Sequence, residues 1–348
     1  MSGALRAPTT LYHFLDKGGG SMATYMTKRI IYMLITLFGI SIISFAVIQL
    51  PPGDYLTSYI TQLQAAGTVV DEAQIESLRR RYGLDKPIYM QYIKWVTGIF
   101  RGDFGRSFEW NESVRVLLGE RLPLTIAISL ATLIFTYCLA IPIGIYSAVR
   151  QYSWGDYLAT FIGFIGLSIP DFLLALILMF LFYHLFGVSI GGLFSVAFED
   201  APWSWAKFKD MMDHLWVPMI VIGMSGTAGL IRTMRATTLD ELGKDYVKMA
   251  RSKGLPEWKV ILKHPVRVAI NPIVSTVGWE LPRVVSGETI VAVVLSLPTT
   301  GPLLLQALLA QDMFLAGSFI MMLSVLTVIG TLISDFLLAI IDPRIRLE

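Results

Sequence analysis

Between Asp245 and Arg267 the chain reads DYVKMARSKGLPEWKVILKHPVR, a basic stretch broken in the middle by Gly254-Leu-Pro256. None of these side chains pairs a nucleophile with a base. The chemistry on offer is that of contact. Leu239, Leu242, Tyr246, Met249 and Ala250 follow a helical spacing and make one apolar face, while Lys244, Lys248 and Arg251 make another. Asp240 with Lys244, and Asp245 with Lys248, are spaced as helix-neighbour ion pairs. A second set of charges, Glu280, Arg283 and Glu288, lies inside an otherwise apolar run. Charges in such a run are functional candidates, because burying them unpaired in lipid is costly. Glu280 and Arg283, three apart, suit a pair on one helix face, though Pro282 distorts it. Two readings stand side by side: a self-satisfied pair that locks packing, or a polar lining of a path.

Other catalytic patterns are missing from the sequence. There is no Gly-x4-Gly-Lys-Ser/Thr loop to cradle a phosphate and no His-Glu-x-x-His. His184 and His214 have no acidic or Cys cluster at ligand spacing and are expected to be interfacial. The single Cys138 can form no intrachain disulfide and is expected to be a small core residue. Asp171 and Asp335 are expected to serve helix packing or to end a span.

These residues must be positioned by membrane helices. The 348 residues are 54% hydrophobic and only 16% charged, where a soluble domain is nearer a quarter charged. Apolar segments at about 29–50, 123–149, 157–186, 215–234, 269–297 and 315–341 each approach or exceed the ~20 residues that cross a bilayer as helix. The expected fold is an all-α polytopic membrane protein with six transmembrane helices. The larger share of the 28 Lys and Arg residues falls before span 1, between spans 2 and 3, between spans 4 and 5, and after span 6. By the positive-inside rule these segments, both termini and the basic stretch are cytoplasmic.

The expected organisation is an extension over 1–25, a first helix over 26–50, a structured outer loop over 51–122, helices two to six over 123–341 and a tail over 342–348. In the outer loop, Asp71-Glu-Ala-Gln74 reads as a helix start. A second helix follows Pro87, with Ile88, Tyr92, Trp95, Val96 and Ile99 as its apolar stripe. Arg101-Gly-Asp103-Phe-Gly105 reads as a tight turn.

The basic stretch reads as helix, sharp turn, short helix. Gly254 suits the left-handed conformation that closes a helix, and Pro256 with Glu257 suits the start of the next. A loop serving only topology would need no such turn and no exposed Trp258. The apolar faces need a cover, which is either the membrane surface or a cytosolic protein.

The stretch resembles the EAA loop of binding-protein-dependent ABC importers of the oligopeptide/dipeptide permease family. Asp245-Tyr-Val-Lys-Met-Ala-Arg-Ser-Lys-Gly-Leu255, His264, Arg267 and Pro272 carry the likeness, with Pro52-Gly-Asp54, Tyr82-Gly-Leu-Asp-Lys-Pro87, Gly102-Asp103-Phe-Gly105, Ser168-Ile-Pro170, Gly287-Glu-Thr289, Leu297-Pro298 and Asp342-Pro-Arg344. Two departures stand out. Thr299-Thr-Gly-Pro302 replaces a Gly-Leu-Gly, and Gly278-Trp-Glu-Leu-Pro-Arg283 replaces a glycine-rich, uncharged run.

The resemblance implies a type I (MetI-like) transmembrane domain in a bacterial or archaeal cytoplasmic membrane. It implies a homologous second permease, two cytosolic ATPases and a periplasmic substrate-binding protein as partners. This chain would bind no cofactor, with ATP and Mg used by the ATPases, and nothing points to nucleic acid. The loop 237–268 would be held by an ATPase through Asp245, Tyr246, Ala250, Arg251, Lys253, Gly254, Leu255, Trp258 and Ile261, the apolar contacts coming from Ala250, Leu255, Trp258 and Ile261. The family's substrates include peptides, oligosaccharides, opines and nickel. Trp203, Trp205 and Trp216 suit a sugar as well as an interface. A secondary transporter would instead show inverted repeats, and an intramembrane enzyme a catalytic constellation; neither is apparent.

Overall fold

The structure is a computed structural model that describes residues 22–49, 76, 80, 85–107, 109–277, 280, 289–310 and 312–341. The expected helix start at Asp71, the marker Pro52-Gly-Asp54, Arg283, Glu288 and the tail lie outside the described residues.

The described chain is mostly helical. α1 is Met22–Gln49, α2 Ile88–Phe100, α3 Val114–Val149, α4 Trp154–Ser168, α5 Asp171–Phe186 and α6 Trp205–Leu242. α7 (Asp245–Ser252), α8 (Glu257–Lys263) and α9 (Pro265–Ala269) are short. α10 (Thr289–Val294), α11 (Thr300–Leu309) and α12 (Met313–Ile341) complete the order. α3 and α6 form the central pair, and α12 packs against α1. Small residues let the central pair approach closely. A Cβ on Gly144 of α3 would stand 2.6 Å from the Met234 side chain of α6, and one on Gly223 would stand 3.0 Å from Phe135. Between them Thr227 donates to the Gly223 carbonyl at 2.7 Å, and its hydroxyl lies 3.3 Å from that of Thr136. In lipid such small-residue contacts replace the hydrophobic drive that holds helices together in water.

Four described helices are long and apolar enough to span: Thr27–Ala46, Val114–Val149, Trp205–Leu242 and Phe314–Phe336. The expected single span over 157–186 is corrected to two helices, α4 and α5, bent by 104°. The cause is Pro170, which disfavours the helical conformation at the residue before it. Ile169 is accordingly extended, at φ −93° and ψ 120°. Counted together, this pair makes a fifth span. The run expected to be continuous over 269–297 is described as α9, helical residues 271–277 and α10, with 278–279 and 281–288 outside the described residues.

Polar residues extend the helices beyond the apolar runs. α3 begins at Val114 and keeps Pro123 and Pro142 inside it, and α6 runs ahead of Leu215 and past Met234. Cys138 is exposed on α3, not in the core as expected. It shares an outer face with Ile134.

Candidate coupling surface and translocation path

α6 ends at Leu242 because Gly243 and Lys244 break the helix. This break divides the single face expected for Leu239 through Ala250. In α7, Val247 and Ala250 turn inward and meet Val260 of α8 in a small core of their own. Tyr246 and Met249 face outward. Lys253 and Gly254 make the joint. Gly254 has φ +71°, the left-handed region in which a Cβ is strained, and the space where that Cβ would stand is open. Its amide donates to the Arg251 carbonyl at 2.9 Å. Pro256 caps α8 from an extended conformation, and Glu257 occupies the first turn.

One ion pair bridges the joint. Arg251 Nη2 donates to Glu257 Oε1 at 2.7 Å, while Nε lies 3.1 and 3.2 Å from the two carboxylate oxygens. The guanidinium holds the Glu257 carboxyl below its ordinary range. Its folded-state value is depressed, so the bridge is complete at neutral pH and is lost as pH falls through that value. Lys248 pairs with Asp245 at 2.9 Å, as the spacing predicts. Asp240 and Lys244 form no ion pair among the described residues, since Lys244 is the cap of α7. The Tyr246 hydroxyl donates to the Glu241 carboxylate, and burial, followed by that carboxylate, pushes its pKa up.

The hairpin is anchored to the bundle from below. Ile261 packs with Ala140 of α3, Leu230 and Met234 of α6, and Val266, Ala269 and Ile273. Thr237 on α6 donates to the Ala269 carbonyl at 3.1 Å. Two of the four residues expected to make apolar contacts with a partner are thereby relocated. Ala250 and Ile261 are buried within the chain because they fill the seams of the hairpin. Leu255 and Trp258 stay at the tip, 40% and 62% exposed, beside Met249 and Leu262. Lys259 lies 5.3 Å from the Trp258 ring, and Lys248, Lys253, Lys263 and Arg267 are exposed around it. The result is a braced knob with an apolar tip and a basic rim.

Of the span charges, Glu280 is described and partly buried. Nearby, the Tyr137 hydroxyl of α3 lies 2.6 Å from Thr276 Oγ1 and 3.3 Å from the Ile273 carbonyl. Asp335 pairs with Arg29 at 3.2 Å, joining α12 to α1. His184 stacks on Phe180, and His214 Nδ1 lies 2.8 Å from the Asp210 carbonyl.

Sequence reading missed three anchors. Asp156 is 3% exposed and receives Arg235 Nε and Nη2 from α6, each at 2.9 Å. The Tyr152 amide adds a third bond at 3.0 Å. A signal was present: Ser153, three residues before Asp156, is a helix cap whose hydroxyl accepts the Asp156 amide. Asp312 is buried and joins the turn at Ser107 and the Glu109 amide to the start of α12. Lys207 is buried too. Its ammonium donates to the Glu199 and Ala201 carbonyls at 3.0 and 2.7 Å, and it lies over Phe194 and Trp203. The three tryptophans of the outer region all have aromatic neighbours in this chain: Trp203 meets Phe194, Trp205 stacks on Phe208, and Trp216 meets Phe182.

Comparison with known proteins places this architecture. A family model described as "Binding-protein-dependent transport system inner membrane component" matches residues 140–347, and its N-terminal counterpart matches 22–129. The oligopeptide transport system permease protein AppB of Bacillus subtilis is 35% identical over 93% of this chain and 100% of its own length. A putative peptide permease protein of Brucella ovis is 31% identical over 93% of this chain and 99% of its own. The dipeptide transport system permease protein DppB of Lactococcus lactis is 29% identical over 94% and 100%. The match runs through the hairpin and the helices that carry it. The chain belongs to the inner-membrane permease family of binding-protein-dependent transport systems, and is a multi-pass permease subunit of an ABC importer.

Proposed function

We propose that this permease forms one half of a translocation pathway for small peptides. The other half is a homologous permease chain. A substrate-binding protein delivers the peptide, and two separate ATPase chains supply the energy, each holding one hairpin of the kind formed by α7 and α8. The peptide reading draws on the relatives, which are named for oligopeptides, dipeptides and peptides.

The observation that carries the coupling role is the form of the hairpin. Its interior is filled by Val247, Ala250, Val260 and Ile261, yet Leu255 and Trp258 remain exposed at the tip. A polar linker needs neither a core nor a tip. A handle needs both, because force applied at the tip is transmitted only through a part that does not deform. Gly254, Asp245, Tyr246, Arg251 and Lys253 shape and rim the handle. Closure of the ATPases would draw the tip inward and pass the motion through α9 and Thr237 into α6. Glu280, Arg283 and Glu288 are assigned to the path or to the lock beside it.

Uptake by the four-part complex in liposomes tests the substrate. Labelled di- to pentapeptides should accumulate only with ATP inside the ATPase compartment and binding protein on the other face. Accumulation of an oligosaccharide with no peptide uptake would overturn the peptide reading.

A further inference from the structure

α2 has three faces. At ~100° per residue, Tyr92, Trp95 and Ile99 fall on one, Tyr89, Ile93 and Phe100 on the next, and Lys94 and Thr97 beyond them. The first face is occupied by α1. Trp95 is 4% exposed, its ring 5.8 Å from that of Phe45, and the Tyr92 hydroxyl lies 2.8 Å from Ser41 Oγ. The second face is bare. Ile93 is 55% exposed and Phe100 86%.

Two rulers give the level of α2 in the membrane. Both start from the Arg29–Asp335 pair at one end of α1 and α12. At ~1.5 Å per residue, Ser41 and Phe45 stand about 18 and 24 Å along α1 from that pair, and Phe314 stands about 32 Å along α12. α2 packs on α1 at the level of Ser41 and Phe45, and the turn that follows it meets Phe314 of α12. Its residues Lys94, Trp95 and Gly98 share a cleft with Gly105 and Phe314. Gly98 ties α2 to the following turn, accepting the Arg101 and Asp103 amides at 2.9 Å each. Gly105, at φ +83°, comes so close to Phe314 that a Cβ would stand 2.7 Å from the ring. The hydrocarbon core is ~30 Å thick. α2 is therefore placed at the boundary of the far leaflet, by its packing on α1 and by the contact of the following turn with Phe314.

We propose that α2 is a surface helix of the outer leaflet, with Tyr89, Ile93 and Phe100 resting in lipid. The face carries no charge, and the spanning helix on which α2 packs also exposes apolar side chains at this level, Ile42 and Ile43. Lys94 and Thr97 lie toward the headgroups and water. Amphipathic helices of this kind bury an apolar face at the headgroup and acyl boundary. α2 would thereby brace the far ends of α1 and α12 at a fixed depth.

The proposal is tested in the assembled transporter, reconstituted in liposomes, in a Cys138→Ser background whose uptake matches the parent. Nitroxide labels are placed singly through Ile93→Cys, Phe100→Cys and Lys94→Cys. Collision with oxygen, which concentrates in lipid, is compared with collision with a water-soluble nickel chelate. At Ile93 and Phe100 the oxygen-to-nickel ratio should exceed that at Lys94 several-fold. Free access of the nickel chelate at Ile93 and Phe100 would place the face in water and overturn the proposal. Low collision with both reagents would mean that a protein covers the face, and would overturn it in favour of a partner subunit.

Discussion

At the residue scale, the clearest difference between sequence and structure is the pair Asp156 and Arg235. Each looks like an ordinary loop or helix-end charge in the sequence. Only the packing of α4 on α6 brings them together, and no local pattern encodes that distance. The same is true of Asp312 and Lys207, whose partners lie in other segments or on backbone carbonyls. Gly254 was legible, because a left-handed joint has few other residues to choose from. Asp156→Asn should leave Arg235 with half its partner. Removing one member of a buried pair costs about 3–5 kcal/mol, and Arg235 is partly exposed, so a loss of about 2 kcal/mol is expected. The melting temperature of the purified complex should fall, and Asp156→Asn with Arg235→Gln should cost less than the two single changes added. Strict additivity would mean that the pair is not coupled.

At the element scale, the apolar runs identified the long helices but not their ends or breaks. α3 and α6 exceed their apolar runs because helix continues into water wherever nothing stops it. The bend between α4 and α5 was hidden, because the run on either side of Pro170 is apolar and hydropathy carries no direction. The partition of α7 was also hidden. Helical spacing groups Tyr246 with Ala250, but Gly243 resets the phase, so Ala250 turns in and Tyr246 out. The bend predicts a distance. Spin labels at Leu158 and Tyr183, both exposed, should lie about 20–25 Å apart, because a bend of 104° leaves the two arms meeting at an acute angle. A straight span would hold them about 38 Å apart, and a measured distance near that value would remove the bend.

At the scale of the whole molecule, the positive-inside pattern sets the orientation, and it can be checked directly. A cysteine at Lys253 should react with an impermeant reagent only from the cytosolic side, and one at Pro202 only from outside. Labelling of Lys253 from outside would invert the topology and separate the hairpin from any cytosolic partner. Within that orientation, the central claim is that the α7–α8 hairpin carries ATP-driven motion into α6. Gly254 is the point at which to test it. A residue with a Cβ in the left-handed region costs about 1–2 kcal/mol, and a β-branched one resists it further, while the open space around Gly254 adds no clash. The measurement is peptide transported per ATP hydrolysed, in liposomes containing the full complex, for Gly254→Val beside the parent. The account predicts that the variant inserts and pairs with the second permease normally. It also predicts a fall in the transport ratio, through weaker ATPase retention or through hydrolysis no longer linked to uptake. Full ATPase retention with an unchanged ratio would contradict the claim and leave the hairpin as a loop that serves topology alone.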